Sequence, residues 1–326
     1  MYKMIHLFLD SNIYLNFYNY STNDIDELEK IITLVENNKA KIYITNQVID
    51  ETWRNRDEII SQTLDLFLKV PDIHPHIVQN HDEYEILNQL RLNYIKLKKK
   101  IHKDIDSMRS KFKLKSDLLI LKIFDISEQF NYNDDIVSKA KLRYDLWNPP
   151  WKGKSYWDAV NWELLLNWIE DWSELSLVSG DWDFNSALDN WFLSREWKRK
   201  KKSNLNYYWS LSDFFRHNFP NIKLNTELQK QILIDDFNAI KNFDKAKNVI
   251  RRLWKIPPFE EKDFYEVKDS LLSNSQIYWL SKWWIDDIHN AFDRFYHLLN
   301  EDEKRIYISN YWDNNNPSLI FYPASP

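Results

Sequence analysis

The strongest constraint on this chain is an alternation. Three short apolar runs, MIHLFL at 4–9, KIYIT at 41–45 and LSLVS at 175–179, are separated by long stretches of helical periodicity. A parallel strand needs a long, usually helical crossover to return to the same edge of a sheet, so this alternation predicts an α/β domain with a mostly parallel sheet. The first run stops at Asp10 and the third leads into Asp181. The helical stretch after the second run has apolar residues at Ile49, Trp53, Ile60, Leu64 and Phe67, and Glu51 lies off that stripe.

The clearest helix starts near Glu83. Leu87, Leu90, Tyr94, Leu97, Ile101, Ile105, Met108 and Phe112 alternate spacings of three and four, the mark of a long amphipathic helix. The run LLILKIFDISEQF (118–130) is its expected antiparallel partner, and the two form a helical insertion at about 80–145. YYWSLSDFFRHNFPNIKL (207–224) combines a short helix with a final edge strand. From about residue 225 the pattern is helical, with Pro257-Pro258 as a hard break. The expected division is therefore 1–224 for the α/β domain and 225–326 for an all-α C-terminal module.

Composition narrows the chemistry. Without cysteine, disulfides and thiolate metal sites are excluded, and a reducing cytoplasm is the expected setting. The start, MYKMIHLFLDSN, meets a carboxylate too early for a signal peptide's apolar region. No window approaches the roughly 18 uncharged apolar residues of a membrane span. A net charge of −5 argues against a surface coated with phosphate-binding groups and leaves room for local basic patches.

Ligands of open α/β sheets gather outside the carboxyl ends of the strands. Asp10 and Asp181 end strands, Glu51 sits in the first two turns of the helix leaving the second strand, and Asp158 opens the helix SYWDAVNWELLLNWI (155–169). Four ionised carboxylates stay together only around cations, and hard oxygen ligands select Mg²⁺ or Mn²⁺. Each acid taken singly also reads as an ordinary helix-start residue. Asp10 and Asp181 suit N-caps, Asp158 suits a capping box with Ser155, and Glu51 suits a first-turn acid.

The ordered set resembles the PIN-domain nucleases. HLFLDSNIYL matches that family's opening strand with its Asp, one spacer and Asn. YITNQVIDETWRN matches the second motif with its acid on a helix, and KGKSYWDAVNWELLL the third. LSLVSGDWDF matches the Ser/Thr-x-Asp-x-Asp-Phe motif after a strand. The resemblance covers about 1–224; the insertion and the C-terminal helices depart from a minimal PIN domain. It implies a three-layer fold and metal-dependent hydrolysis of phosphodiesters, most often in RNA, leaving 5′-phosphate and 3′-hydroxyl ends. Asp10, Asp158 and Asp181 would be metal ligands, Glu51 a ligand or the residue positioning the attacking water, and Asp183 a ligand to a second ion or a cap. Asn12 and Ser179 would orient the carboxylates. A module that only binds nucleic acid or a partner, and a metal-dependent DNA nuclease, are the competing functions.

Cations for a nucleic-acid backbone are found in Lys152 and Lys154, in KLKKKIHK (96–103), and in Lys198, Arg199, Lys200, Lys201 and Lys202. Trp147, Trp151, Trp157 and Trp182 are candidates for stacking on unpaired bases. His74, His76 and His81 form a weaker metal pattern whose spacing fits no strong zinc signature. The C-terminal helices are candidates for gating, partner binding or homo-oligomerisation. Average usage near 7% would give about twenty glycines; there are two. Gly180 is expected to turn the backbone sharply so that Asp181 is aimed into the cleft, and Gly153 to loosen the loop before Asp158.

Overall fold

The computed structural model describes residues 4–19, 25–69, 76–150, 156–181, 184, 192–255 and 259–312. The chain divides into two compact units that part between Ile222 and Lys223.

The first unit is built on β1 (Ile5–Leu9), β2 (Ala40–Thr45), β3 (Glu128–Phe130), β4 (Leu175–Val178) and β5 (Leu205–Tyr208). All pairings are parallel, in the order β3-β2-β1-β4-β5. Leu7, Phe8, Leu9, Ile44, Leu175 and Val178 are fully buried. A strand covered on both faces reads as a continuous apolar run rather than an alternating one, which is why these segments were visible in the sequence. Register is set by Leu9 opposite Val178 and Phe8 opposite Tyr43. The chain lays β2 and β3 on one side of β1, then returns to lay β4 and β5 on the other. The strand order therefore reverses between β1 and β4, and a crevice opens there outside the carboxyl ends.

Helices α1 (Ser11–Leu15), α2 (Asp26–Glu36) and α3 (Asn46–Leu68) connect the first strands. Then come α4 (His76–Gln79), α5 (Tyr84–Arg109) and α6 (Lys115–Ile126), followed past β3 by α7 (Asp134–Asp145), α8 (Trp157–Trp168), α9 (Phe192–Lys201) and α10 (Leu211–Asn218). α8 is apolar around most of its circumference, with Val160, Trp162, Leu164 and Leu165 fully buried, as a helix enclosed in a core must be.

Three expectations change. Residues 128–130 are an edge strand, β3, rather than the end of a helix. α6 packs on α2 instead of pairing with α5, while α5 packs on α3. The buried face of α3 is Val48, Thr52, Arg56, Ile60 and Leu64, one position away from the expected stripe at its start. Arg56 enters that face because it is neutralised: its Nε and Nη2 each donate to Asp117 at 2.7 Å, and Tyr18 donates to the same carboxylate at 2.7 Å. Both members of the pair are buried, so the pair ties α3 to α6.

The second unit consists of α11 (Asn225–Asn238), α12 (Phe243–Lys255), α13 (Glu261–Ser273), α14 (Ser275–Phe292) and α15 (Glu301–Tyr311). Its own core includes Phe237, Ile250, Phe264, Leu280 and Phe292. Among the described residues, no helix is long and apolar enough to cross a membrane.

Candidate functional site

Asp10 leaves β1 at the switch point. Its backbone N–H extends the ladder to the Val178 carbonyl at 3.0 Å, and its carboxylate N-caps α1 by accepting from Ser11 N at 2.8 Å. The ordinary capping role is therefore real, but it occupies only one oxygen. The other oxygen accepts from Asn12 Nδ2 and from Ser179 Oγ, both at 2.7 Å. Asn12 also donates to Ser179 Oγ at 3.2 Å and accepts from Gly180 N at 3.0 Å. Asp181 N donates to Ser179 Oγ at 3.2 Å. Asp10, Asn12, Ser179 and Asp181, drawn from the ends of β1 and β4, thus form one network across the crevice.

Asp10 is 2% exposed. Burial pushes its carboxyl up to about 7; the Ser179 hydrogen bond and the Ser11 N–H oppose the rise, while the negative charges of Asp181 and then Glu51 add to it. The structure therefore brings Asp181 and Glu51 within electrostatic reach of Asp10. Glu51 stands half-buried on α3.

Asp158 lies in the first turn of α8, half-buried. The helix N-cap is Tyr156, so Asp158 is not the third residue of a capping box begun by Ser155, which lies outside the described residues. One turn later, Asn161 accepts from Thr45 Oγ1 at 2.6 Å, and Thr45 ends β2. Trp157 lies against Tyr132 just past β3, with ring centroids 5.9 Å apart. These contacts hold the start of α8 at the carboxyl edge of the sheet, so all four acids stand along that edge. Among the described residues, no three His, Asp or Glu side chains stand close enough to share one metal ion.

The donor set nonetheless suits a hard divalent cation: it is all carboxylate oxygen, and its central member is buried beside like charges. Two buried polar atoms along the same edge lack a hydrogen-bond partner, the Tyr14 hydroxyl and Asn161 Nδ2. Tyr14 is close enough to Asp10 for that charge to raise its pKa further, after burial.

Sequence reasoning missed Tyr207. Its hydroxyl donates to the Ser179 carbonyl at 2.7 Å and lies 3.2 Å from the Asp181 carbonyl, so it holds the loop that carries Asp181. Nothing in the sequence marks it beyond its place in a strand. The reason expected for Gly180 does not hold. Its φ lies outside the left-handed region, and a Cβ there would meet Asn12 Oδ1 at 3.6 Å and the Trp209 carbonyl at 3.8 Å, both ordinary contacts.

The basic run is placed elsewhere. The Lys201 carbonyl accepts from Trp172 N at 2.7 Å, and the Lys201 ammonium donates to the Ile169 carbonyl. Lys202 lies over the Trp172 ring. Residues 169–172 precede β4, so Lys198, Arg199, Lys200, Lys201 and Lys202 stand at the amino edge of the sheet, opposite the acids. A four-residue strand separates the two edges by about 13 Å. Lys201 is buried and Lys200 pairs with Glu196 at 3.1 Å. Of the proposed stacking residues, Trp147 is exposed and Trp157 is half-buried. Trp151, Trp182, Asp183, Lys152, Gly153, Lys154 and His74 lie outside the described residues. His81 is exposed and accepts from Glu83 N at 3.2 Å.

No curated protein and no solved structure matches the chain. A model of the PIN domain, a fold of nuclease type whose members generally work with divalent metals, matches residues 7–184. That stretch begins inside β1, ends past Asp181 and takes in more than half of the 326 residues, and the chain belongs to the PIN domain family.

Proposed function

We propose that this chain is a metal-dependent endoribonuclease that hydrolyses single-stranded RNA and leaves 5′-phosphate and 3′-hydroxyl ends. The observation that carries this reading is Asp10. A carboxyl held near 7 by burial and by Asp181 and Glu51 ionises fully at neutral pH only when a cation compensates it. Asp10, Asp158, Asp181 and Glu51, with Asp183 beside them in sequence, are the residues that would hold Mg²⁺ or Mn²⁺. Such ions, when bound, make water a nucleophile at neutral pH and neutralise charge on the phosphate.

The chain's own residues supply position. Ser179 and Asn12 fix the inner oxygen of Asp10, Tyr207 fixes the loop bearing Asp181, and the Thr45–Asn161 bond fixes the start of α8. Glu51, whose charge reaches Asp10, would serve as a further ligand or orient the attacking water. RNA would run along the carboxyl edge, where the acids stand, and Lys152 and Lys154, a few residues before Asp158 in the sequence, are proposed to bind its backbone. The lack of cysteine suits a cytoplasmic setting.

The test is cleavage of labelled RNA with Mn²⁺ or with chelator. Wild type should cut only with metal and leave 5′-phosphate ends, while Asp10→Asn, Asp158→Asn and Asp181→Asn should each fall by at least about a hundredfold, a loss equivalent to some 2.7 kcal/mol of transition-state stabilisation. Full activity in any two of these variants, or cyclic 2′,3′-phosphate ends, would overturn the mechanism. Equal cutting of single-stranded DNA would make the protein a DNA nuclease, and tight binding without cutting would make it a binding module.

A further inference from the structure

We infer that a cavity on the outer side of α8 is a binding site for a nucleoside monophosphate. The cavity encloses about 340 Å³ between α7, α8 and the end of α9, within the range of small-molecule sites. It is separate from the acids. Asn161 turns to Thr45 of the sheet. Glu163 and Asn167, which line the cavity, follow Asn161 on the same helix at about 200° and 240° further round its axis. They therefore stand on the side of α8 away from the sheet.

The polar part of the wall is built before any ligand arrives. Arg143 Nε donates to Glu163 Oε1, Nη2 to Glu196 Oε1 and Nη1 to the Pro149 carbonyl, each at 2.8 Å. These bonds join α7, α8, α9 and the turn after α7, and Arg143, Glu163 and Glu196 are all buried. Both contacts of Arg143 with Glu163 go to Oε1, so Oε2 is left to accept from a ligand. A carboxylate held rigid in this way suits the N–H groups at the edge of a base, and guanine presents two such groups side by side. Asn148 and Asn167 line the same cavity, and among the described residues neither side-chain amide has a hydrogen-bond partner.

Charge and shape choose the ligand. Leu142, Leu146 and Leu166 form an apolar wall, and the first two are 58% and 60% exposed, so a planar body laid against them would cover bare surface. Arg143 and Glu163 answer each other, which leaves the ammonium groups of Lys139 and Lys200 for an anion. Their present partners are Asp135 at 2.6 Å and Glu196 at 3.1 Å, one helical turn away on their own helices. Half-exposed pairs of this kind are weak enough to yield to a phosphate. From Ile136 to Leu146 the wall runs about 15 Å along α7, room for a base, a ribose and a phosphate in a row. A fatty acid would leave Glu163 and the two amides unanswered, and inorganic phosphate would leave the leucines bare.

The test is isothermal titration of the full chain, in chelator so that the acids cannot hold a nucleotide through a metal. Guanosine 5′-monophosphate should bind with a Kd below about 1 mM. Guanosine and ribose 5-phosphate each carry only part of the recognised groups and should bind at least about tenfold more weakly. Lys139→Ala with Lys200→Ala should weaken the nucleotide by at least about tenfold and leave the melting temperature unchanged, since both ammonium groups are half in water. Asp10→Asn should bind it as wild type does, whether or not the chain cleaves RNA. No binding of the nucleotide at about 1 mM would overturn the inference, and so would equal affinity in wild type and the lysine variant. Ribose 5-phosphate binding as tightly as the nucleotide would reduce the cavity to a phosphate patch and sink the assignment. Loss of binding in Asp10→Asn would place the nucleotide among the acids and would equally refute it.

Discussion

The buried carboxyl of Asp10 makes the stability of the metal-free protein depend on pH in a defined direction. Its native pKa is raised to about 7 from the ordinary 3.8. Between those values the native state holds a proton that the unfolded chain has released, so stability is lost as pH rises through the native pKa. From pH 5 to pH 8.5 the linkage amounts to about 2–3 kcal/mol. For a unit of about this size that is roughly 5–10 °C of melting temperature. Asp10→Asn removes the titration. It also sets an amide NH₂ against Asn12 Nδ2 or leaves Ser11 N without its acceptor, at a cost of about 1–3 kcal/mol that does not depend on pH. The informative quantity is therefore the difference of differences: wild type minus Asp10→Asn, pH 5 minus pH 8.5, by denaturant unfolding in chelator. We expect about 2–3 kcal/mol, shrinking when Mn²⁺ is added because the ion binds only the native, ionised site. An equal pH slope in the two proteins would refute the assignment of Asp10 as the strained group.

Asp117→Ala should cost about 3–5 kcal/mol in denaturant unfolding, because it strands Arg56 in the interior, and Arg56→Met with Asp117→Leu should recover most of that loss. A single-variant cost below about 1 kcal/mol would mean the pair is solvated. Neutralising Lys198, Arg199 and Lys202 should flatten the salt dependence of RNA binding while leaving turnover at saturating RNA unchanged, since the run stands at the opposite edge from the acids. An unchanged slope would identify it as plain surface. Lys201→Ala, by contrast, should lower the melting temperature, because Lys201 is buried against the Ile169 carbonyl.

What the sequence determined by itself was local. Periodicity is written in neighbouring residues, so MIHLFL, KIYIT and LSLV announced buried strands, the crossovers announced a parallel sheet, and Asp10 and Asp181 were legible as acids at strand ends. Tertiary structure decided everything that depends on which distant segments meet. The three-residue strand β3 has too little pattern to stand apart from the helix before it, and exists through its pairing with β2. The amphipathic pattern of α5 announced a helix but could not say which face turns inward; Arg56, Asp117 and Lys98, from three different helices, turned it the other way. KRKKK was legible as charge, yet its place at the amino edge follows from the seating of Lys201 on residues 169–172, just ahead of β4. The acids meet for the same reason. Register partners in β1 and β4 lie 169 residues apart, as Leu9 and Val178 do, yet the two strands are neighbours in the sheet. Only that adjacency lets Ser179 reach Asp10 and lets Asp181 press on its charge.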